Sequence, residues 1–406
     1  MILIGDCVEQ MKTLEAESVD AIVTDPPYGL EFMGKEWDGF GTPLGFQTWS
    51  EQWAREALRV LKPGGHLLAF GGTRMYHRLA AGIEDAGFEI RDTLMWLYGS
   101  GFPKSLDVSK AIDKAAGAER EVVGSKVGPY KINEVKQTAL GDFSKMKMNS
   151  GGYIVNDITT PSTEAAKKWQ GWGTALKPAV EPIVLARKPL IGTVAANVLT
   201  HGTGALNIDA SRIGTNKEIP GSANSKGETS GYNRGWGDRN ATMSGYNQNI
   251  GRWPANILLD EEAAAMLDKQ SGDAGGGFGR RGKLNGGATK WGFDGVGQEV
   301  GYGDAGGASR FFYVAKASRS ERNAGLERNI HPTVKPVALM KYLIRLVVPK
   351  GGVVLDPFLG SGTTAVAAIE EGVEWIGCER EPEYVEIIKA RVAAAQPGMG
   401  LTMDEQ

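Results

Sequence analysis

Apolar and polar positions fall into alternating blocks over the first hundred residues, and the blocks read as strand, helix, strand. Ala21-Ile22-Val23-Thr24 is a short apolar, partly β-branched run of the kind buried in a parallel sheet. Glu51 to Leu61 has the spacing of an amphipathic helix and is stopped by Lys62-Pro63-Gly64-Gly65. His66 to Phe70 follows as a strand, and Arg74 to Ala86 as a second helix ending at Gly87. Leu94-Met95-Trp96-Leu97-Tyr98 and Pro182-Ile183-Val184-Leu185-Ala186 predict later strands. Near the C-terminus the pattern resumes: Gly352-Val353-Val354-Leu355-Asp356 reads as a strand, Thr363 to Ile369 opens a helix, and Glu374-Trp375-Ile376-Gly377-Cys378 is a second strand. The fold class is therefore α/β with a parallel sheet.

Between these blocks the periodicity fades. Gly124 to Gly173 is rich in lysine, serine and glycine, which predicts mobile loops. From Asn197 to Arg310 only Asp260 to Gln270 looks helical. Glycine fills about a third of positions 270 to 310, with Phe278, Arg280, Arg281, Lys283, Trp291 and Phe293 among them, as in a loop that orders on a polyanion.

Two runs carry chemistry. Asp25 stands at the carboxyl end of the Ala21 strand, where open α/β sheets place ligands, and is followed by Pro26, Pro27 and Tyr28. The two prolines remove both N–H donors, so the Asp25 carboxylate and the neighbouring carbonyls form an acceptor surface for an NH2 group, with Tyr28 as a flat face for a heteroaromatic ring. The plain alternative is a stiff strand-to-loop turn. The second run is Asp356-Pro357-Phe358-Leu359-Gly360-Ser361-Gly362-Thr363-Thr364, a glycine turn between strand and helix. Glu379 follows about 20 residues later, the offset of a ribose-binding acid in dinucleotide folds. The usual third glycine is missing, which argues for a nucleoside cofactor without phosphates.

These motifs, with the intervening His331-Pro332-Thr333-Val334-Lys335-Pro336, resemble the beta class of amino-DNA methyltransferases, in which the catalytic motif precedes the S-adenosylmethionine motif. Phe32 to Asp38, Arg252-Trp253-Pro254-Ala255-Asn256 and Phe311 to Lys316 are similar to recurring segments of the phage and prophage DNA methylases. The resemblance implies a permuted Rossmann-like fold with an inserted, loop-rich target-recognition region. Residues 1–135 would form the catalytic half, 136–196 a mobile loop and later strand, 197–310 the recognition region, 311–395 the cofactor half and 396–406 a flexible tail. It implies a catalytic role for Asp25, Pro26, Pro27 and Tyr28. It places Asp356, Phe358, Gly360, Ser361, Gly362, Thr363 and Glu379 at S-adenosylmethionine, Asp6 beside its adenine, and Thr333 and Lys335 over its methionine end. The implied substrate is double-stranded DNA, with adenine N6 favoured over cytosine N4, and a homodimer is compatible with it.

Composition agrees. The chain has 406 residues, 41% of them hydrophobic, enough for a substantial core. Two cysteines, four scattered histidines and no long apolar run predict a soluble cytoplasmic protein with no metal and no membrane partner. Cys7 and Cys378 read as small core residues. The net charge of −3 divides unevenly: residues 101 to 330 carry an excess of about seven positive charges and the two ends about ten negative ones, so the middle is where phosphates are expected. A nicotinamide-dependent oxidoreductase could use the glycine turn and acid, yet it leaves Asp-Pro-Pro-Tyr and the basic middle unexplained; a DNA-binding protein with a relic site is disfavoured by chemically competent residues at every named position.

Overall fold

The computed structural model describes residues 1–30, 38–101, 105–131, 153–214, 251–273, 306–316, 321–327, 329–331 and 333–395. Phe32 to Trp37, the aromatic and basic residues from Phe278 to Phe293, and the tail from 396 lie outside them. The strands are β1 (Ile2–Ile4), β2 (Val19–Thr24), β3 (Leu61–Phe70), β4 (Glu89–Leu97), β5 (Val122–Lys131), β6 (Tyr153–Thr159), β7 (Val180–Arg187), β8 (Ile257–Asp260), β9 (Tyr313–Ala315), β10 (Val353–Asp356) and β11 (Glu374–Glu379). The helices are α1 (Cys7–Lys12), α2 (Pro43–Val60), α3 (Tyr76–Asp85), α4 (Val108–Ala115), α5 (Glu164–Lys168), α6 (Val194–His201), α7 (Glu261–Ser271), α8 (Val337–Val347), α9 (Thr363–Glu371) and α10 (Pro382–Ala395).

Nine strands form one sheet in the order β1-β11-β10-β2-β3-β7-β4-β8-β9. Only β7 runs against the rest. The C-terminal strands β10 and β11 lie between β1 and β2, so the motif that comes last in sequence sits beside the one that comes first. This is the permuted, Rossmann-like arrangement. The alternation of side chains sorts the core into two layers. Ala21 and Val23 of β2, and Leu68 and Phe70 of β3, pack under α8. Ile22, Leu67 and Ala69 face the other way, onto Met11, Phe46, Trp53 and Ala57 of α1 and α2. Cys7 and Cys378 are both buried, as small core residues.

Several elements differ from the sequence expectation. Helix α2 begins at Pro43, eight residues earlier than its apolar spacing suggests, because Thr42 caps it by accepting from Gly45 N at 2.9 Å and Pro43 supplies a preset first turn. Within the described parts of 124–173, β5 and β6 pair antiparallel and α5 follows, where the composition predicts loops, because cross-strand pairing needs no buried apolar face; the same expectation for 132–152 lies outside the described residues. Within 197–310, β8 joins the large sheet as a four-residue strand, too short to show a period. The Arg252 to Asn256 segment leads into it, with Asn256 O accepting from Met95 N at 2.8 Å, and Phe311 to Ala315 forms edge strand β9 with its approach.

The chain divides into two compact units, Met1–Gly99 with Val180–Gln406, and Ser100–Ala179. The smaller unit holds β5, β6, α4 and α5. Its buried centre is Asp113, which accepts from Arg120 Nη1 at 2.6 Å, Ser162 N and Thr163 N at 3.0 Å, and Thr163 Oγ1 at 2.8 Å. Burial works against the charge, but these donors outweigh it and hold the carboxyl down at about 2. In the larger unit Leu97 of β4 pairs with Val180 of β7. Among the described residues no helix is long and apolar enough to cross a membrane.

Candidate active site

The two motifs meet at neighbouring strand ends. Val354 and Leu355 of β10 pair with Ala21 and Ile22 of β2. One step on, Thr24 Oγ1 donates to Asp356 Oδ1 at 2.6 Å, a buried bond between residues 332 apart in sequence. Asp356 also accepts from Phe358 N at 3.0 Å and from Thr364 Oγ1 at 2.5 Å. With 2% exposure, its carboxylate faces inward, between β2 and the first turn of α9. Burial raises its pKa to about 6, against the pull of the two threonine hydroxyls.

Asp25, just beyond β2, is held on both oxygens. Tyr28 Oη lies 2.8 Å from Oδ1 and Lys335 Nζ lies 2.7 Å from Oδ2. The Tyr28 hydroxyl is also 3.1 Å from Glu181 Oε2, and Lys335 Nζ is 3.1 Å from both that oxygen and the hydroxyl. Burial alone would lower the Lys335 pKa, but Asp25 and Glu181 overcome it and the net shift is upward. Burial, then the two carboxylates, push the Tyr28 phenol well above its ordinary value. The Tyr28 ring packs against the Gly72 backbone, where an added Cβ would meet it at 3.1 Å. Lys335 therefore sits on the Asp25 carboxylate, at the acceptor surface itself. Glu181 was not singled out from sequence; its one signal is a carboxylate immediately before the apolar Pro182–Ala186 run.

The glycine turn is built from positive φ angles, +53° at Gly360 and +78° at Gly362. Gly360 N donates to Glu379 Oε2 at 2.7 Å, and Glu381 N donates to Oε1 at 2.8 Å, so the acid closes the turn. Burial raises the Glu379 pKa to about 7 in spite of these backbone donors. Ser361 and Thr363 turn to Arg391 of α10, whose Nη1 reaches Ser361 O at 2.6 Å, Ser361 Oγ at 3.1 Å and Thr363 Oγ1 at 3.0 Å. Arg391 is 1% exposed, and burial lowers its pKa to about 10. It too escaped the sequence reading. Phe358 is half-buried, edge-on to Trp53 with ring centres 5.5 Å apart. Asp6 follows β1, whose Ile4 pairs with Glu379, and it caps α1 by accepting from Val8 N at 3.0 Å. Thr333 is exposed; its carbonyl meets His331 Nδ1, and His331 Nε2 stands 3.0 Å from where a Gly360 Cβ would be.

Asp25, Tyr28 and Lys335 thus form one cluster, and Gly360, Glu379 and Asp6 a second along the same edge. Asp356, Ser361 and Thr363 support the turn from inside. The Pro26 and Pro27 rings stiffen the exit of β2.

A sequence model of a DNA methylase family, specific for N6 and N4 amines by its name, matches residues 19–390. The chain belongs to this family. It is 23% identical over 413 residues to the type II methyltransferase M.HindIII of Haemophilus influenzae, covering 93% of this chain and 89% of that protein. To M.HinfI of the same organism it is 31% identical over 109 residues, 23% of this chain and 30% of that one. Among solved structures it is similar to the cytosine-N4-specific PvuII DNA methyltransferase, with TM-score 0.45, 16% identity and coverage of 98% and 87%. A protein of Thermus thermophilus described as a DNA modification methylase, complexed with S-adenosyl-L-methionine, gives TM-score 0.40, 16% identity and coverage of 98% and 95%.

Proposed function

We propose that this chain is a site-specific methyltransferase that acts on double-stranded DNA in the cytoplasm and modifies the N6 amine of an adenine flipped out of the helix. The observation that carries the reading is the 2.6 Å Thr24–Asp356 bond, because it sets the strand bearing the amine-binding acid beside the strand bearing the cofactor turn. The methyl donor is S-adenosylmethionine, and the residues present suit it. The first turn of α9, where a pyrophosphate would sit, already faces the Asp356 carboxylate through Thr364. Asp6 and Glu379 offer carboxylates to ribose and adenine groups, Phe358 offers a half-buried aromatic face, and Thr333 and Lys335 are assigned to the methionine end, with Thr333 joined through its carbonyl to His331 beside Gly360. When bound, the cofactor supplies an electrophilic methyl group on a cationic sulfur.

An aromatic amine is a poor nucleophile because its lone pair is delocalised into the ring. Asp25 and the Pro26 carbonyl accept its two hydrogens and draw the lone pair out of plane, so alignment and charge dispersal do the remaining work. Lys335 fixes the Asp25 rotamer for that purpose. Flipping the base costs a few kcal/mol, offset by stacking on Tyr28 and by backbone contacts from the basic middle of the chain.

Adenine is favoured because Asp-Pro-Pro-Tyr is the commoner motif among adenine enzymes. Cytosine N4 presents the same two hydrogens and is the alternative. Nucleoside mass spectrometry of DNA methylated in vitro tests both: N6-methyladenine is expected, N4-methylcytosine alone overturns the base, and the absence of both products overturns the reading.

A further inference from the structure

The hydrogen count of the Asp25 cluster assigns a role to Glu181. The Lys335 ammonium has three hydrogens and three acceptors around it: Asp25 Oδ2 at 2.7 Å, Glu181 Oε2 at 3.1 Å and Tyr28 Oη at 3.1 Å. The Tyr28 hydroxyl has one hydrogen and two carboxylate acceptors, Asp25 Oδ1 at 2.8 Å and Glu181 Oε2 at 3.1 Å. It can serve only one at a time, and a rotation about its C–O bond takes it from one to the other with the ring unmoved. The shorter contact is to Asp25. With the hydroxyl turned there, Oδ1 and Oδ2 each already accept one hydrogen bond, and an incoming amine has to share Oδ1 with Tyr28, which draws on the same acceptor charge and crowds the approach.

We propose that Glu181 is a positioning residue: it is the alternative acceptor for the Tyr28 hydroxyl, so that Asp25 Oδ1 is released when the substrate amine arrives. The proton count of the cluster is unchanged by the swing, and no buried hydroxyl is left without a partner in either setting, which matters because an unsatisfied buried donor costs more than a hydrogen bond contributes. Glu181 reaches the cluster from β7, the one strand of the nine-stranded sheet that runs against the others; its side chain is 21% exposed, and it is the second residue of the strand, opposite Trp96. The role rests on the proposed amine-directed methyl transfer and goes beyond it.

The test compares Glu181→Gln, Glu181→Leu, Tyr28→Phe and the Tyr28→Phe/Glu181→Leu double variant in single-turnover methylation of duplex DNA. S-adenosylmethionine affinity is measured by calorimetry, and thermal melting confirms that each variant is folded. Glu181→Gln keeps an acceptor oxygen and is expected within about threefold of wild type. Glu181→Leu is expected to lower the methyl-transfer rate about tenfold or more with cofactor affinity unchanged, and to add nothing in the Tyr28→Phe background. If Glu181→Gln is as impaired as Glu181→Leu, the route runs through the charge on Lys335 and the inference is overturned. Effects that multiply in the double variant overturn it too, as does a folded Glu181→Leu enzyme of wild-type rate. Absence of methylation by the wild-type protein would instead sink the functional reading on which the inference stands.

Discussion

Asp25, the residue on which the proposed chemistry turns, is held by Lys335 and Tyr28, not by the glycine turn. Asp25→Ala should therefore lower turnover by about 10²-fold or more while leaving S-adenosylmethionine binding largely intact. Calorimetry and a methylation assay on the same preparation check this, and a variant keeping more than a small fraction of wild-type turnover would refute the assignment. Glu379 gives a pH prediction of definite sign. Its pKa is raised in the folded chain, from an ordinary glutamate value to about 7, so the folded state binds more protons than the unfolded one between about pH 4.5 and 7. Stability from this group is full below that window and falls as pH rises through it. Glu379→Gln should flatten the corresponding decline in melting temperature, and a decline of unchanged slope in the variant would contradict the raised pKa.

At the scale of elements, the glycine turn and the helix behind it act together. A β-branched residue at Gly362 must adopt a left-handed backbone, costing about 1–2 kcal/mol, and its Cβ would meet Ile388 Cγ2 of α10 at 3.1 Å. Gly362→Val should thus destabilise the protein and weaken S-adenosylmethionine binding by displacing α10, not by filling the cofactor space. Arg391→Met removes the donor to Ser361 and Thr363 and should lower both melting temperature and cofactor affinity. An affinity unchanged in both variants would show that the turn does not shape the cofactor site. This coupling was not legible in the sequence. The turn itself was, since Gly-Ser-Gly between an apolar strand and a helix has few other uses, but Arg391 is one basic residue in a helix and its burial is decided by which helix packs beneath it. Asp356 is the converse case: its motif was plain, while the inward direction of its carboxylate depended on Thr24, 332 positions away.

For the whole molecule, the opposed Leu97 and Val180 suggest that residues 100–179 can be removed. A short glycine-serine turn in their place should leave a folded larger unit that still binds S-adenosylmethionine, because the β4–β7 pairing is complete without them; loss of cooperative melting would disprove that. The smaller unit carries 12 lysine and arginine residues against 8 aspartate and glutamate, whereas the chain as a whole is at −3, so the positive charge is concentrated away from the motif-bearing ends. DNA binding should accordingly weaken steeply with salt, with a log–log slope set by the number of phosphates neutralised. A salt-insensitive affinity in filter binding would remove the basic middle from the interface.

What the sequence determined by itself was local: apolar runs long enough to be buried strands, glycines where the backbone must reverse, and the acids that end those strands. Those features need only a period, a φ angle or a short spacing, and they sufficed for the α/β class, the motif order and the position of Asp25 and Gly360. Tertiary structure alone decided how the ends of the chain are combined. Inserting β10 and β11 between β1 and β2 brings Asp356 to Thr24, and folding β7 back between β3 and β4 brings Glu181 to Tyr28 and Lys335. The physical reason is that a buried charge is stabilised by partners from other strands, and partnership across more than 150 residues leaves no period for a sequence to display.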